Sequence, residues 1–167
     1  FFCIGEQARR HPGLAREIFA RGHTVENHSQ RHLKTFSALG PGGMRREVAD
    51  GQATLADITG VPPRFFRPTA GLRNPFLEPV LARLDLQLAT WSRRAFDTRY
   101  GDPDRALQRL GQHLTAGEIL LLHDGNAART PNGQPLILEV LPALLAHMAA
   151  SGLRPVSLAS ALESDPS

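Results

Sequence analysis

Two imidazoles four residues apart, His28 and His32 in Glu26-Asn27-His28-Ser29-Gln30-Arg31-His32, have the type and spacing to hold one metal ion. On one helical turn, or on a turn leading into a helix, residues i and i+4 share a face, so both rings can point at one centre. Imidazole suits zinc and its neighbours, but two ligands never complete a site, and such pairs also occur on solvated helix surfaces. A third histidine, His123, followed by Asp124, ends the run Glu118-Ile119-Leu120-Leu121-Leu122. An imidazole's ordinary pKa of about 6.5 suits a ring at the mouth of a buried strand to general acid or base work near neutrality. A surface loop histidine is the competing reading.

The elements that must position these groups follow an α/β rhythm, short apolar runs alternating with amphipathic stretches of helical length. Strands are expected at Phe1 to Ile4, His23 to Val25, Phe65-Phe66, Leu86 to Trp91, Glu118 to Leu122 and Arg154 to Leu158. Helices are expected at Pro12 to Ala20, Met44 to Ile58, Pro75 to Leu84, from Asp102-Pro103-Asp104 through His113, and at Leu136 to Met148 despite Pro142. Pro at an early helical position, Asp102 as a cap and the breaker Gly60-Val61-Pro62-Pro63 mark the ends. The tail Glu163 to Ser167 is expected to fray. Alternation of this kind suggests a barrel-like or doubly wound parallel sheet, with the chemistry at the carboxyl ends of the strands. His28 and His32, Arg67, the stretch Ser92 to Asp97, and His123-Asp124 all fall at such ends.

A chain of 167 residues fits one domain, expected over residues 1–162, with 163–167 as a tail. The 41% hydrophobic and 21% charged residues are those of an ordinary globular protein, which argues against disorder. Net charge is +3, and its arginines are scattered without a dense basic run, so nucleic acid is not an expected partner. A single cysteine, Cys3, excludes an internal disulfide and a thiolate zinc cluster. No apolar run reaches the roughly 20 residues that span a bilayer, so no transmembrane segment is expected. The chain opens without Met inside a strand pattern, Phe1-Phe2-Cys3-Ile4-Gly5, so a preceding segment is expected, and both the cytoplasm and the cell envelope of a bacterium stay open as compartments.

In order along the chain, these pieces resemble the polysaccharide deacetylases of carbohydrate esterase family four, the NodB-homology domain. Gly22-His23-Thr24-Val25-Glu26-Asn27-His28-Ser29-Gln30-Arg31-His32 is similar to the family's second motif, and Phe66-Arg67-Pro68-Thr69-Ala70-Gly71 resembles the third. Trp91 through Asp97 sits where the fourth lies, Leu120-Leu121-Leu122-His123-Asp124 matches the fifth, and Phe1-Phe2-Cys3-Ile4-Gly5 is similar to the strand that follows the first.

The resemblance implies a distorted (β/α) barrel and a metal-dependent hydrolase that removes an N-acyl group, acetyl first, from an amino sugar of a glycan or glycoconjugate. A divalent metal, zinc first with cobalt or nickel as alternatives, would be held by His28, His32 and a carboxylate, lowering the pKa of bound water and polarising the amide carbonyl. His123 would protonate the leaving amine and Asp97 would hold that histidine. Arg67 would position the catalytic carboxylate base, the Ala70 backbone N–H would help stabilise the oxyanion, and Leu121 would line the pocket for the acetyl methyl. The first motif, which carries the general base and the metal-binding aspartate, would lie before Phe1. Arg94 stands where an aspartate is frequent and Thr98 where a tryptophan often walls the groove, which removes an aromatic surface for the sugars of a long polymer. The alternative is a catalytically inactive carbohydrate-binding domain of the same fold, and a structural metal clip is a third reading. The oligomeric state is left open.

Overall fold

The computed structural model describes residues 1–163. The chain divides into two compact units, one formed by Phe1–Thr90 with the stretch from Ser157, the other by Trp91–Val156.

In the first unit, β1 (Phe2–Cys3), β2 (Glu26–Asn27), β3 (Phe65–Phe66) and β4 (Gln87–Leu88) pair in parallel in that order. Parallel neighbours need a crossover. Helices α1 (Gly5–Arg10) and α2 (Pro12–Ala20) lie between β1 and β2, α3 (Pro41–Thr59) between β2 and β3, and α4 (Leu77–Arg83) between β3 and β4. Helix α3 presents Met44, Val48 and Leu55 to the interior, as the periodicity predicts, and ends at Gly60, whose φ of 76° takes the left-handed cap. Met44 and Val48 join Phe36, Phe66, Leu77, Val80, Leu81 and Leu86 in one core cluster. Leu55 packs in another with Ala8, Ala15 and Val25. Helix α2 buries Ala15, while Leu14 and Phe19 are exposed.

The second strand is not His23 to Val25 but Glu26–Asn27, in register with Phe2 and Cys3. Both residues are polar, which disguises a strand, yet both are buried with their side chains bonded. Glu26 Oε2 accepts the backbone N–H groups of Arg64 and Phe65 at 2.9 Å each, and Asn27 Nδ2 donates to Val48 O and Gln52 Oε1. Satisfied in this way, buried polar groups carry little penalty. Helix α1 was also unforeseen. Its backbone N–H groups at Gly5 and Glu6 donate to Ser29 O and Gln30 O.

In the second unit, β5 (Arg93–Arg94) pairs in parallel with β6 (Leu120–Leu121). Helix α5 (Pro103–Gly111) starts where predicted, because Asp102 Oδ1 accepts the Arg105 N–H at 3.0 Å. Helix α6 (Leu136–Ala150) tolerates Pro142 on its exposed side. Ala95, Ala106, Leu110, Leu136, Val140 and Leu144 form the core. The Arg93 guanidinium pairs with Glu118 and also donates to Gln112 O and His113 O, which ties β5 to the approach of β6. This contact raises the Arg93 pKa and holds the Glu118 carboxyl below its usual range.

The strand expected at Arg154 to Leu158 does not form. Pro155 cannot donate to a ladder, and Ser157 instead caps a helix, α7 (Leu158–Glu163), its Oγ accepting the Ser160 N–H at 3.1 Å. Glu163, expected to fray, ends α7 and pairs with Arg64 at 2.7 Å, while 164–167 of that tail lie outside the described residues.

Candidate functional site

The seven residues singled out by sequence fall into two groups. His28, His32, Arg67 and Ala70 belong to the first unit, and Asp97, Leu121 and His123 to the second. Each group is built by its own local chemistry.

His28 leaves the carboxyl end of β2 with its N–H on Cys3 O, continuing the parallel pairing. The histidine pair is not on a helical turn. Ser29 N–H donates to Asn27 Oδ1 and His32 N–H to Ser29 Oγ, and Ser29 and His32 have left-handed φ values of 65° and 55°. Short polar side chains that bond nearby backbone compete with helix, and here they win. The tight turn still brings the two rings together, with centroids 4.7 Å apart and planes at 62°.

The turn is anchored on α3. Gln30 N–H donates to Glu47 O, Arg31 N–H to Glu47 Oε2 at 3.0 Å, Arg31 Nε to Glu47 Oε1 at 2.5 Å, and Gln30 Oε1 accepts from Thr54 Oγ1. Glu47 is 2% exposed. Gly51 lets the turn approach, since a Cβ there would stand 2.8 Å from Asn27 Oδ1 and 3.0 Å from the Ser29 carbonyl carbon. Sequence reasoning missed this supporting layer of Asn27, Glu47, Gly51, Gln52 and Thr54. One signal was readable, a glycine inside an otherwise regular helical pattern, which commonly marks a close approach.

His28 Nδ1 lies 2.6 Å from Arg67 O. A carbonyl only accepts, so the proton is on Nδ1 and the lone pair on Nε2, the tautomer found in metal-ligating histidines whose other ring N–H donates to a backbone carbonyl. With His32 beside it, this donor set fits two protein ligands of a divalent metal. Among the described residues no group of three or more His, Cys, Asp or Glu side chains gathers at one point, so the pair by itself is half a site.

Arg67 follows β3 and is 9% exposed. Nη2 donates to Thr90 O at 3.0 Å, Nε reaches Ala89 O at 3.4 Å, and the guanidinium lies 3.9 Å over the Phe2 ring. Burial lowers its pKa to about 10, still far enough above neutrality for the group to stay cationic. Ala70 takes a left-handed φ of 55° in the 3-10 turn Thr69–Gly71, whose own backbone bonds run from Gly71 N–H to Pro68 O and Leu72 N–H to Thr69 O.

In the second unit one carboxylate holds one histidine twice. Asp97, 1% exposed, accepts the His123 backbone N–H on Oδ2 at 2.5 Å and the ring Nδ1–H on Oδ1 at 3.0 Å. That fixes the ring's plane and tautomer and directs Nε2 away from the carboxylate. His123 itself is partly exposed, with 35% of its side-chain surface accessible. Phe96, at a left-handed φ of 58°, turns the chain so that Asp97 faces inward. Leu121 is buried in β6, its Cα opposite Arg94.

Comparison with known proteins gives this arrangement a context. Residues 1–89 match the profile of the polysaccharide deacetylase family. A peptidoglycan-N-acetylglucosamine deacetylase of Bacillus cereus is 25% identical over 146 residues, covering 86% of this chain and 67% of that protein. A chitooligosaccharide deacetylase of a Bradyrhizobium species is 30% identical over 128 residues, covering 75% of this chain and 57% of that protein. The chain thus spans 57% to 67% of the length of these two curated relatives. Among solved structures, a family 4 carbohydrate esterase from Streptomyces lividans in complex with acetate superposes with a TM-score of 0.84 at 28% identity, covering 94% of this chain and 77% of that one. The α/β architecture, the parallel strand pairing and these matches agree, and the chain belongs to the polysaccharide deacetylase family.

Proposed function

We propose that this protein hydrolyses an N-acyl group, acetyl first, from an amino sugar of a glycan or glycoconjugate, with a divalent metal on His28 and His32. Zinc is the metal of choice, since paired imidazoles suit it, with cobalt or nickel as substitutes. The observation that carries the reading is the His28 ring, set by the Arg67 carbonyl in the metal-ligating tautomer beside a second imidazole 4.7 Å away. The names carried by the relatives point to N-acetylated amino sugars as substrates. The reading treats residues 1–162 as one catalytic domain.

A bound metal would supply Lewis acidity, polarising the amide carbonyl and lowering the pKa of water. The protein's own groups do the rest. His28 and His32 hold the ion, and Asp97 keeps His123 oriented with its proton-bearing Nδ1 occupied. With the ring doubly protonated, Nε2 of His123 delivers its proton to the departing amine and the ring is left neutral with its remaining proton on Nδ1. Arg67, its guanidinium plane fixed by Ala89 O, Thr90 O and the Phe2 ring, orients the base carboxylate. The Ala70 N–H faces the developing oxyanion, and Leu121 contacts the acyl methyl. The base and the carboxylate ligand are assigned to the family's first motif, outside these residues.

The test is acetate release from N-acetylated chito-oligosaccharides by the full-length protein loaded with zinc or cobalt. Release is expected, with His123→Ala lowering kcat by about 10²- to 10⁴-fold, and His28→Ala lowering metal content per chain. A folded, metal-loaded protein that binds the oligosaccharide but frees no acetate would sink the hydrolase reading in favour of an inactive carbohydrate-binding domain.

A further inference from the structure

We propose that the arginine-rich face of the second unit binds an oxyanion, a carboxylate or phosphate, carried by the glycan that the protein acts on. The proposal rests on the glycan reading above and adds the charge class of the substrate. Four arginines surround two half-exposed rings. The Arg94 guanidinium lies 4.1 Å from the Phe96 centroid and Arg109 lies 4.7 Å from it, while Arg105, Arg99 and Arg109 stand 5.0, 5.3 and 5.8 Å from Tyr100. Phe96 and Tyr100 each keep 37% of their surface exposed.

Stacking on a ring engages the flat face of a guanidinium and leaves its N–H edge, the part that reads a carboxylate or phosphate, directed elsewhere. In the same unit Arg93 is clamped by Glu118, whereas none of these four forms an ion pair among the described residues. Arg105 and Arg109 are four apart on α5, where like charges repel. Asp102 and Asp104 sit at the start of that helix, but Asp102 is used on the Arg105 backbone N–H. Arg109 Nη1 is buried without a hydrogen-bond acceptor. Phe96 is held at its left-handed φ, a strained conformation for a bulky residue that persists where surroundings enforce it. Concentrated cations with no carboxylate partner among the described residues are what an oxyanion would satisfy.

Calorimetric titration of the full-length protein with three N-acetylglucosamine tetramers tests this: neutral, phosphorylated at C6, and oxidised to a carboxylate at C6. At least one charged tetramer should bind about tenfold more tightly than the neutral one, the worth of a charge-assisted hydrogen bond, and the advantage should shrink with added salt. The charged form that gains names the source of the oxyanion. Arg94→Gln with Arg105→Gln, both exposed, should erase most of the preference at an unchanged melting temperature, and the matching lysine pair should restore part of it. Equal affinity for all three tetramers overturns the proposal, as does a glutamine variant that melts lower yet keeps the preference. A charged-ligand preference without acetate release overturns the hydrolase reading and upholds this one, and acetate release without the preference does the reverse.

Discussion

Asp97 and His123 show how much one buried carboxylate can arrange. Bonded to both the ring and the backbone of His123, Asp97 sets where the imidazole sits and which nitrogen bears the proton. Asp97→Asn keeps the shape but offers an NH2 where an acceptor is needed, so the ring is free to present the wrong tautomer. A fall in kcat of about 10²- to 10⁴-fold is expected with the circular dichroism spectrum retained, and an asparagine variant with undiminished kcat would remove Asp97 from the mechanism. At this scale the sequence was informative about position, since His28, Arg67 and His123 follow the carboxyl ends of β2, β3 and β6. It was uninformative about Glu26, whose carboxylate caps the entry to β3 through two backbone N–H groups, because a buried structural acid and a solvated one have the same letter.

Among the elements, helices with explicit end signals were readable almost to the residue. Asp102-Pro103 opens α5, and Pro12 opens α2. Strands two residues long carry no periodicity, so β5 was unforeseen and β2 was misplaced by a polar sequence. Proline and a capping serine turned an expected last strand into α7. The interface of α3 with the histidine turn was legible only in Gly51. Alanine there should gain about 1 kcal/mol of helix propensity and lose more, since its Cβ would press on Asn27 Oδ1 and the Ser29 backbone. Overpacking of that kind costs about 1–3 kcal/mol. Chemical denaturation of Gly51→Ala should therefore show net destabilisation, and because the strain falls on the turn, a weaker metal affinity should accompany it.

For the whole molecule, the strand-helix alternation was the most legible property, since every described strand pairs in parallel. The division into two compact units was not, because long-range contacts leave no local mark in composition. The hydrogen bonds that shape the histidine turn come from the protein itself, so metal should add stability by mass action only. Zinc at a hundred times its Kd adds about 2.7 kcal/mol, about 5–10 °C in Tm for a chain of this size. Scanning calorimetry with a chelator should then show a lower but still cooperative transition, whereas collapse of the transition would mark the ion as a structural clip. The described partners that shape this turn lie between Cys3 and Arg67. During synthesis on the ribosome, every described anchor of the two imidazoles is therefore in place once Arg67 has been added. On the reading proposed above, the two imidazoles assigned to the metal and their described anchors are made before His123, so their turn can form before the residue assigned as proton donor is synthesised.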